Sequence, residues 1–155
     1  MAGRIETRLK ELEITLPEPR GAAGNYVPYV VAGSLVFIAG QVPAGPAGLE
    51  FQGKLGAGLS VEQGQQAARL CALNILAQLR LACEGDFERV RRCVKIGGFV
   101  NATPDFEQHP AVINGASDLI VSVLGDTGKH ARFAVGAPSL PFNVAVEVDA
   151  VFEIA

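Results

Sequence analysis

Arg132 and Glu147 carry the chemistry most readily read from this chain. Arg132 opens the strand-like run ARFAVGA, Glu147 lies in a second run, AVEVDAVFE, and Pro138-Ser139-Leu140-Pro141 separates the two. A planar guanidinium offers paired donors to a carboxylate, and a carboxylate can accept a proton from water. Held close together on rigid strands, the pair could grip a small organic acid and present a water to it. If the runs form a hairpin whose turn centres between Ser139 and Leu140, Arg132 and Glu147 are direct cross-strand partners. A slip of one residue would send them to opposite faces. On a solvated face the same pair would be an ordinary ion pair contributing about 0.2–1 kcal/mol.

The elements that would position the pair follow from periodicity. Ile5, Leu9 and Leu12 recur at helical spacing, predicting an amphipathic N-terminal arm of about three turns that stops near Leu16-Pro17. Val27–Val31 and Leu35–Ala39 read as a hairpin turning at Ala32-Gly33-Ser34. The Gly and Pro content of Gly40–Gly58 marks a long irregular excursion. Ser60 and Gln63 fit a capping box, and Ala68, Cys71, Ala72, Ile75 and Leu79 form one stripe, so a long helix is expected from Ser60 to about Cys83, ended by Gly85. Val90–Val100 reads as a strand, and Pro110, Val112, Leu119, Ile120 and Val123 mark a second helix that ends at Gly125. In the last strand Val144, Val146, Val148, Ala150, Phe152 and Ile154 share one parity, and Glu147, Asp149 and Glu153 share the other. One face therefore packs on helices while the other meets water or another subunit. The order β-β-α-β-α-β-β implies an α+β sandwich, a mixed sheet with two main helices on one face.

Composition bounds the rest. A chain of 155 residues suits one domain, read here as 1–155 with residues 1–22 as the arm. Hydrophobic residues make up 49% and charged residues 19%, more apolar surface than a small monomer needs to bury, which points to a homo-oligomer. The net charge of −3 and the scattered Lys and Arg lack the footprint of a nucleic-acid binder. Charges alternate through MAGRIETRLKELE, so it does not read as a signal peptide, and Tyr26–Ala39 is too short and interrupted to span a bilayer. Cys71, Cys83 and Cys93 lack disulfide or zinc spacing and fit reduced, buried thiols in a cytoplasm.

Other motifs fail on inspection. Gly125-Asp126-Thr127-Gly128-Lys129-His130 lacks the phosphate-loop spacing, and Gly56-Ala57-Gly58 lacks the third glycine of a dinucleotide fingerprint. His109 and His130 have no companion at metal-ligand spacing and read as capping or solvated residues. No histidine is placed by sequence beside a nucleophile.

Taken together, several segments resemble the RidA family, also called the YjgF or L-PSP endoribonuclease family, from about Gly24 to Glu153. Ala23-Gly24-Asn25-Tyr26-Val27 resembles its A-x-G-P-Y segment, and Leu35 through Gly40-Gln41-Val42-Pro43 its strand ending S-G-Q-x-P. Asn114 resembles the asparagine of the second helix, and Ala131-Arg132, Leu140-Pro141 and Val146-Glu147-Val148-Asp149-Ala150 the A-R, L-P and x-E-x-E-A close. The resemblance implies a chorismate-mutase-like (RidA-like) fold, a homotrimer with clefts between subunits, and cofactor-independent hydrolysis of enamines and imines such as 2-aminoacrylate to keto acids and ammonia. It implies Arg132 as the carboxylate-binding arginine, Glu147 as the acid handling water, and Tyr26, Asn114, Gly40, Ala39 and Ala134 around the substrate.

The departures are as informative. Ala39 stands where the family has a pocket serine, Asn25 where it has proline, and Ala134 where a cysteine or small polar residue is common, so the pocket should be more apolar and backbone near Ala134 would hold the amine. The arm through Pro19 and the loop around Gly45–Gly58 are longer than usual, similar to a longer bacterial subgroup. A non-catalytic carboxylate-binding trimer and the family's endoribonuclease activity are the rival readings.

Overall fold

The computed structural model describes residues 3–155. Helix α1 (Arg4–Glu11) is followed by strands β1 (Tyr29–Ala32), β2 (Leu35–Gln41), β3 (Ala44–Gly45) and β4 (Gly48–Leu49). Helix α2 (Val61–Ala82), strand β5 (Val90–Asn101), helix α3 (His109–Leu124) and strands β6 (Ala131–Ala137) and β7 (Val146–Ile154) complete the chain. The main sheet has the order β1-β2-β7-β5-β6, and β3-β4 is a separate two-stranded ribbon within the expected irregular excursion. Both long helices pack on one sheet face, the mixed α+β architecture expected.

Local chemistry explains the best-defined elements. Ser60 and Gln63 form the capping box, the serine Oγ accepting from Gln63 N–H at 3.2 Å and the glutamine Oε1 accepting from Ser60 N–H at 2.8 Å. Ala32 pairs with Leu35, so Gly33 and Ser34 make the turn, and Gly33 takes φ 61. Along β7, Val146, Val148, Ala150, Phe152 and Ile154 are buried in the core shared with α2 and α3, as their parity requires. The helices lie so close that a Cβ on Gly115 would meet the Gln65 backbone oxygen at 2.1 Å.

Two expectations need correction. Helix α1 has 8 residues and ends at Glu11, well before Leu16-Pro17, because Glu13 turns into the left-handed region at φ 56. It docks by burying Ile5 and Leu9. Arg4 Nη1 and Arg8 Nε donate to the Leu124 and Ser122 carbonyls in the last turn of α3, where carbonyls are left over by the α-helical pattern.

The closing strands are also not a hairpin. β5 lies between them, with β6 parallel on one side and β7 antiparallel on the other. Helix α3 joins β5 to β6, and a helical crossover delivers the second strand parallel to the first. Residues 138–145 then carry the chain past β5 to β7. That segment is longer than a tight turn, and the sideways step it must make is about 10 Å, two strand spacings.

Candidate functional site

This topology separates the two residues singled out above. Ile96 of β5 pairs with Arg132 on one side and Ala150 on the other, whereas Phe99 pairs with Val135 and Glu147. The backbones at 132 and 147 are therefore two strands and three positions apart, about 14 Å by strand geometry. Parity separates them further. Arg132 shares the helix-facing row with buried Ile96, while Glu147 stands between buried Val146 and Val148 and faces the opposite side. Within one protomer the expected cross-strand pair does not form.

Each residue instead anchors its own cluster. Glu147 lines a cavity of about 530 Å³ together with Tyr26, Gly40, Gln41, Phe142 and Arg20. Its carboxylate lies against the bare Cα of Gly40, where a Cβ would come within 2.6 Å of Oε2. Partial burial, and then the negative charge of Asp149, raise the Glu147 carboxyl above the ordinary glutamate range. The Tyr26 hydroxyl accepts from Ala23 N–H at 3.3 Å, which leaves its own proton free to donate. Buried Gln78 donates from Nε2 to the Arg20 carbonyl at 2.8 Å and so fixes the arm along the cavity rim. Ala39 sits beside Gly40 with its N–H bonded to Pro28 O at 2.9 Å and its carbonyl to Gln41 Nε2 at 3.0 Å.

At the far edge of the sheet, Arg132 lies on α3. Its Nη1 donates to Asn114 Oδ1 at 2.8 Å and to Ser117 Oγ at 3.2 Å, and its Nη2 to the Pro110 carbonyl at 3.4 Å. Three of the five guanidinium donors are thereby engaged, and two remain for a ligand. Ala134 is the next residue in the same row of β6, opposite Gly98.

Sequence reasoning missed two members of this cluster. His130 Nε2 lies 2.9 Å from Ser117 Oγ, and its Nδ1 lies 2.6 Å from Gly128 O. A histidine therefore does sit beside a hydroxyl, and His130 is neither a helix cap nor a freely solvated ring. The available signal was the polar Asn114 and Ser117, three residues apart on the helix and hence on one face. His109 stacks edge-on with Phe106 at 5.2 Å. It belongs to a groove of about 710 Å³ with Lys54 and Thr103 that holds neither Arg132 nor Glu147.

Between the two clusters the outer sheet face is apolar and open. Phe37, Phe99 and Val135 are 46%, 40% and 43% exposed, and Val30 is 51% exposed. Phe99 and Phe133 pack edge to face with centroids 5.3 Å apart. These apolar side chains lie on both sides of Glu147 and Asp149, in two rows of one sheet face, and large exposed apolar groups gathered on one face suit a contact surface. Among the described residues, no group of three His, Cys, Asp or Glu side chains converges as metal ligands would, and no helix is long and apolar enough to cross a membrane.

A five-stranded mixed sheet backed by two long helices, with polar clusters at its margins, is the architecture of RidA-type proteins, as in RidA from an Antarctic Psychrobacter, matched with a TM-score of 0.60. The chain belongs to the YjgF/chorismate mutase-like endoribonuclease family, which it matches over residues 6–154. It is 48% identical to Protein TCP17 of Trypanosoma cruzi over 154 residues, covering 99% of this chain and 96% of that protein. The crystal structure of a protein of unknown function from Agrobacterium tumefaciens is also 48% identical, covers 97% of this chain and 92% of its own, and superposes with a TM-score of 0.91. The fold alone is shared with TdcF of E. coli, a structure with bound serine: 23% identity, 89% of this chain, 94% of that one and a TM-score of 0.60.

Proposed function

We propose that the protein hydrolyses small carboxylate-bearing enamines and imines, such as 2-aminoacrylate, to keto acids and ammonia without a cofactor, at sites formed between the subunits of a homotrimer. One protomer contributes Arg132 and Asn114; its neighbour contributes Glu147, Tyr26 and Gly40. The observation that carries this reading is the division of the site: the two clusters lie on opposite faces of one protomer, flanking an exposed apolar surface. Association through that surface offers each arginine a carboxylate from the next chain.

The chemistry suits the groups. The two free donors of Arg132 take the substrate carboxylate as a fork. The enamine 2-aminoacrylate takes a proton from solvent at its methylene carbon to become the iminium, CH3–C(=NH2+)–COO−, whose C=N carbon is open to attack. Glu147 accepts a proton from water as the oxygen adds, giving a carbinolamine. The same carboxyl returns that proton to nitrogen, and as the C–N bond breaks and ammonia leaves, the carboxylate takes the hydroxyl proton so that the keto C=O forms. A carboxyl whose pKa is raised is suited to both taking and returning a proton. TdcF supports the ligand class, since the serine it holds is a small amino acid carboxylate. The acidic charge balance of −3 disfavours RNA.

The test generates 2-aminoacrylate with a pyridoxal-dependent dehydratase and follows pyruvate and ammonia release. Wild type should accelerate release, and Arg132→Ala and Glu147→Gln should not. If wild type gives no acceleration but carboxylates stabilise it against heat in an Arg132-dependent way, the protein is a binder without turnover.

A further inference from the structure

We infer that Ser117 and His130 are positioning residues that lock the Arg132 guanidinium in its ligand-receiving orientation. This role rests on the carboxylate-binding reading of Arg132 above. The direction of each hydrogen bond follows from what each atom can do. Gly128 O can only accept, so His130 Nδ1, 2.6 Å away, carries a proton. In the neutral ring Nε2 is then the acceptor, and its neighbour at 2.9 Å is the Ser117 hydroxyl, which has a single proton to give. With that proton directed at the ring, the serine lone pairs are turned toward Arg132 Nη1 at 3.2 Å. The chain runs from Arg132 Nη1–H to Ser117 Oγ, from Ser117 Oγ–H to His130 Nε2, and from His130 Nδ1–H to Gly128 O.

Its far end is fixed. Gly128 is buried against α3 so closely that a Cβ there would meet Ile120 O at 2.8 Å. Asn114 Oδ1 receives the other Nη1 hydrogen. A serine without His130 could swing its proton toward the guanidinium and repel it. His130 removes that option and makes Ser117 an obligate acceptor. Arg132 is thus held from two sides, with its two remaining donors presented in a fixed direction and little side-chain freedom left to lose on binding.

The experiment compares full-length wild type with Ser117→Ala, His130→Ala, Ser117→Thr and Arg132→Ala, measuring 2-oxobutanoate affinity by calorimetry. Ser117→Ala and His130→Ala should weaken binding about tenfold, equivalent to about 1.4 kcal/mol, while Ser117→Thr, which keeps the hydroxyl, should stay within about twofold. Nitrogen-edited NMR of the ligand-free protein supplies a second reading. His130 should appear as the Nδ1–H tautomer, and distinct Arg132 Nη signals should merge in Ser117→Ala and His130→Ala as the guanidinium begins to rotate. If Arg132→Ala abolishes binding while both alanine variants bind as wild type does, the carboxylate site stands and the positioning role is overturned. If Arg132→Ala itself binds normally, the carboxylate site fails and this role falls with it.

Discussion

Replacing Gly40 with alanine should disable the site while leaving the fold in place. Gly40 does not occupy the left-handed region, so alanine fits its backbone. The obstacle is the Glu147 carboxylate: the new Cβ would lie 2.6 Å from Oε2 and 2.9 Å from Cδ. Restoring ordinary contact near 3.4 Å requires the oxygen to retreat by about 0.8 Å. A displacement of about 1 Å can cost a factor of about a hundred in rate, so kcat should fall about ten- to hundredfold. Stability should change little. Forcing the glutamate off its rotamer costs about 0.5–1.5 kcal/mol, and the entropy that alanine removes from the unfolded chain offsets about 0.4–1 kcal/mol. The coupled dehydratase assay, run beside thermal unfolding, separates the two effects. If Gly40→Ala turns over like wild type, the position of the Glu147 carboxylate is irrelevant and its assigned role is wrong.

Four further outcomes are expected. As Glu147 must be ionised to accept a proton, the rate should fall as pH drops through its raised pKa, and Asp149→Asn should move that acid limb to lower pH in a pH–rate profile. The stability sign is the reverse. A carboxyl raised on folding contributes stability that is present at acid pH and lost as pH rises through its folded value, so Glu147→Gln should raise resistance to urea at neutral pH. If the proposed trimer forms through the apolar face, Phe99→Glu and Val135→Glu should lower the mass seen by light scattering from trimer to monomer, and an unchanged mass would refute that interface. All three thiols are buried and shifted upward, Cys93 to about 12, so a thiol reagent should label none before unfolding.

What sequence could and could not reveal divides along the range of the interactions. The Ser60 capping box and the two-residue period of β7 are written in neighbouring residues and appear as read, and the turn expected at Ala32-Gly33-Ser34 forms one residue tighter, with Ala32 in the strand. The pairing of β6 and β7 was misread because proximity in the chain was taken for proximity in the sheet. The helix between β5 and β6 is the stronger signal, since a helical crossover makes those two strands parallel neighbours. The misreading also merged into one the two clusters that the structure keeps apart. Ser117 and His130 escaped notice because their contact depends on α3 lying over the start of β6, and neither residue has a local partner pattern. Helix α1 fell short of its proline because Glu13 adopts a backbone state that residue type does not announce.

Subunit mixing addresses the divided site most directly. Arg132→Ala and Glu147→Gln proteins, each inactive alone, would be unfolded together in equal amounts and allowed to reassemble. If Arg132 of one protomer works with Glu147 of the next, random mixing gives about one quarter of the clefts both intact residues, and the mixture should recover about that share of wild-type turnover. A mixture that reassembles fully yet stays inactive would contradict a site shared between chains.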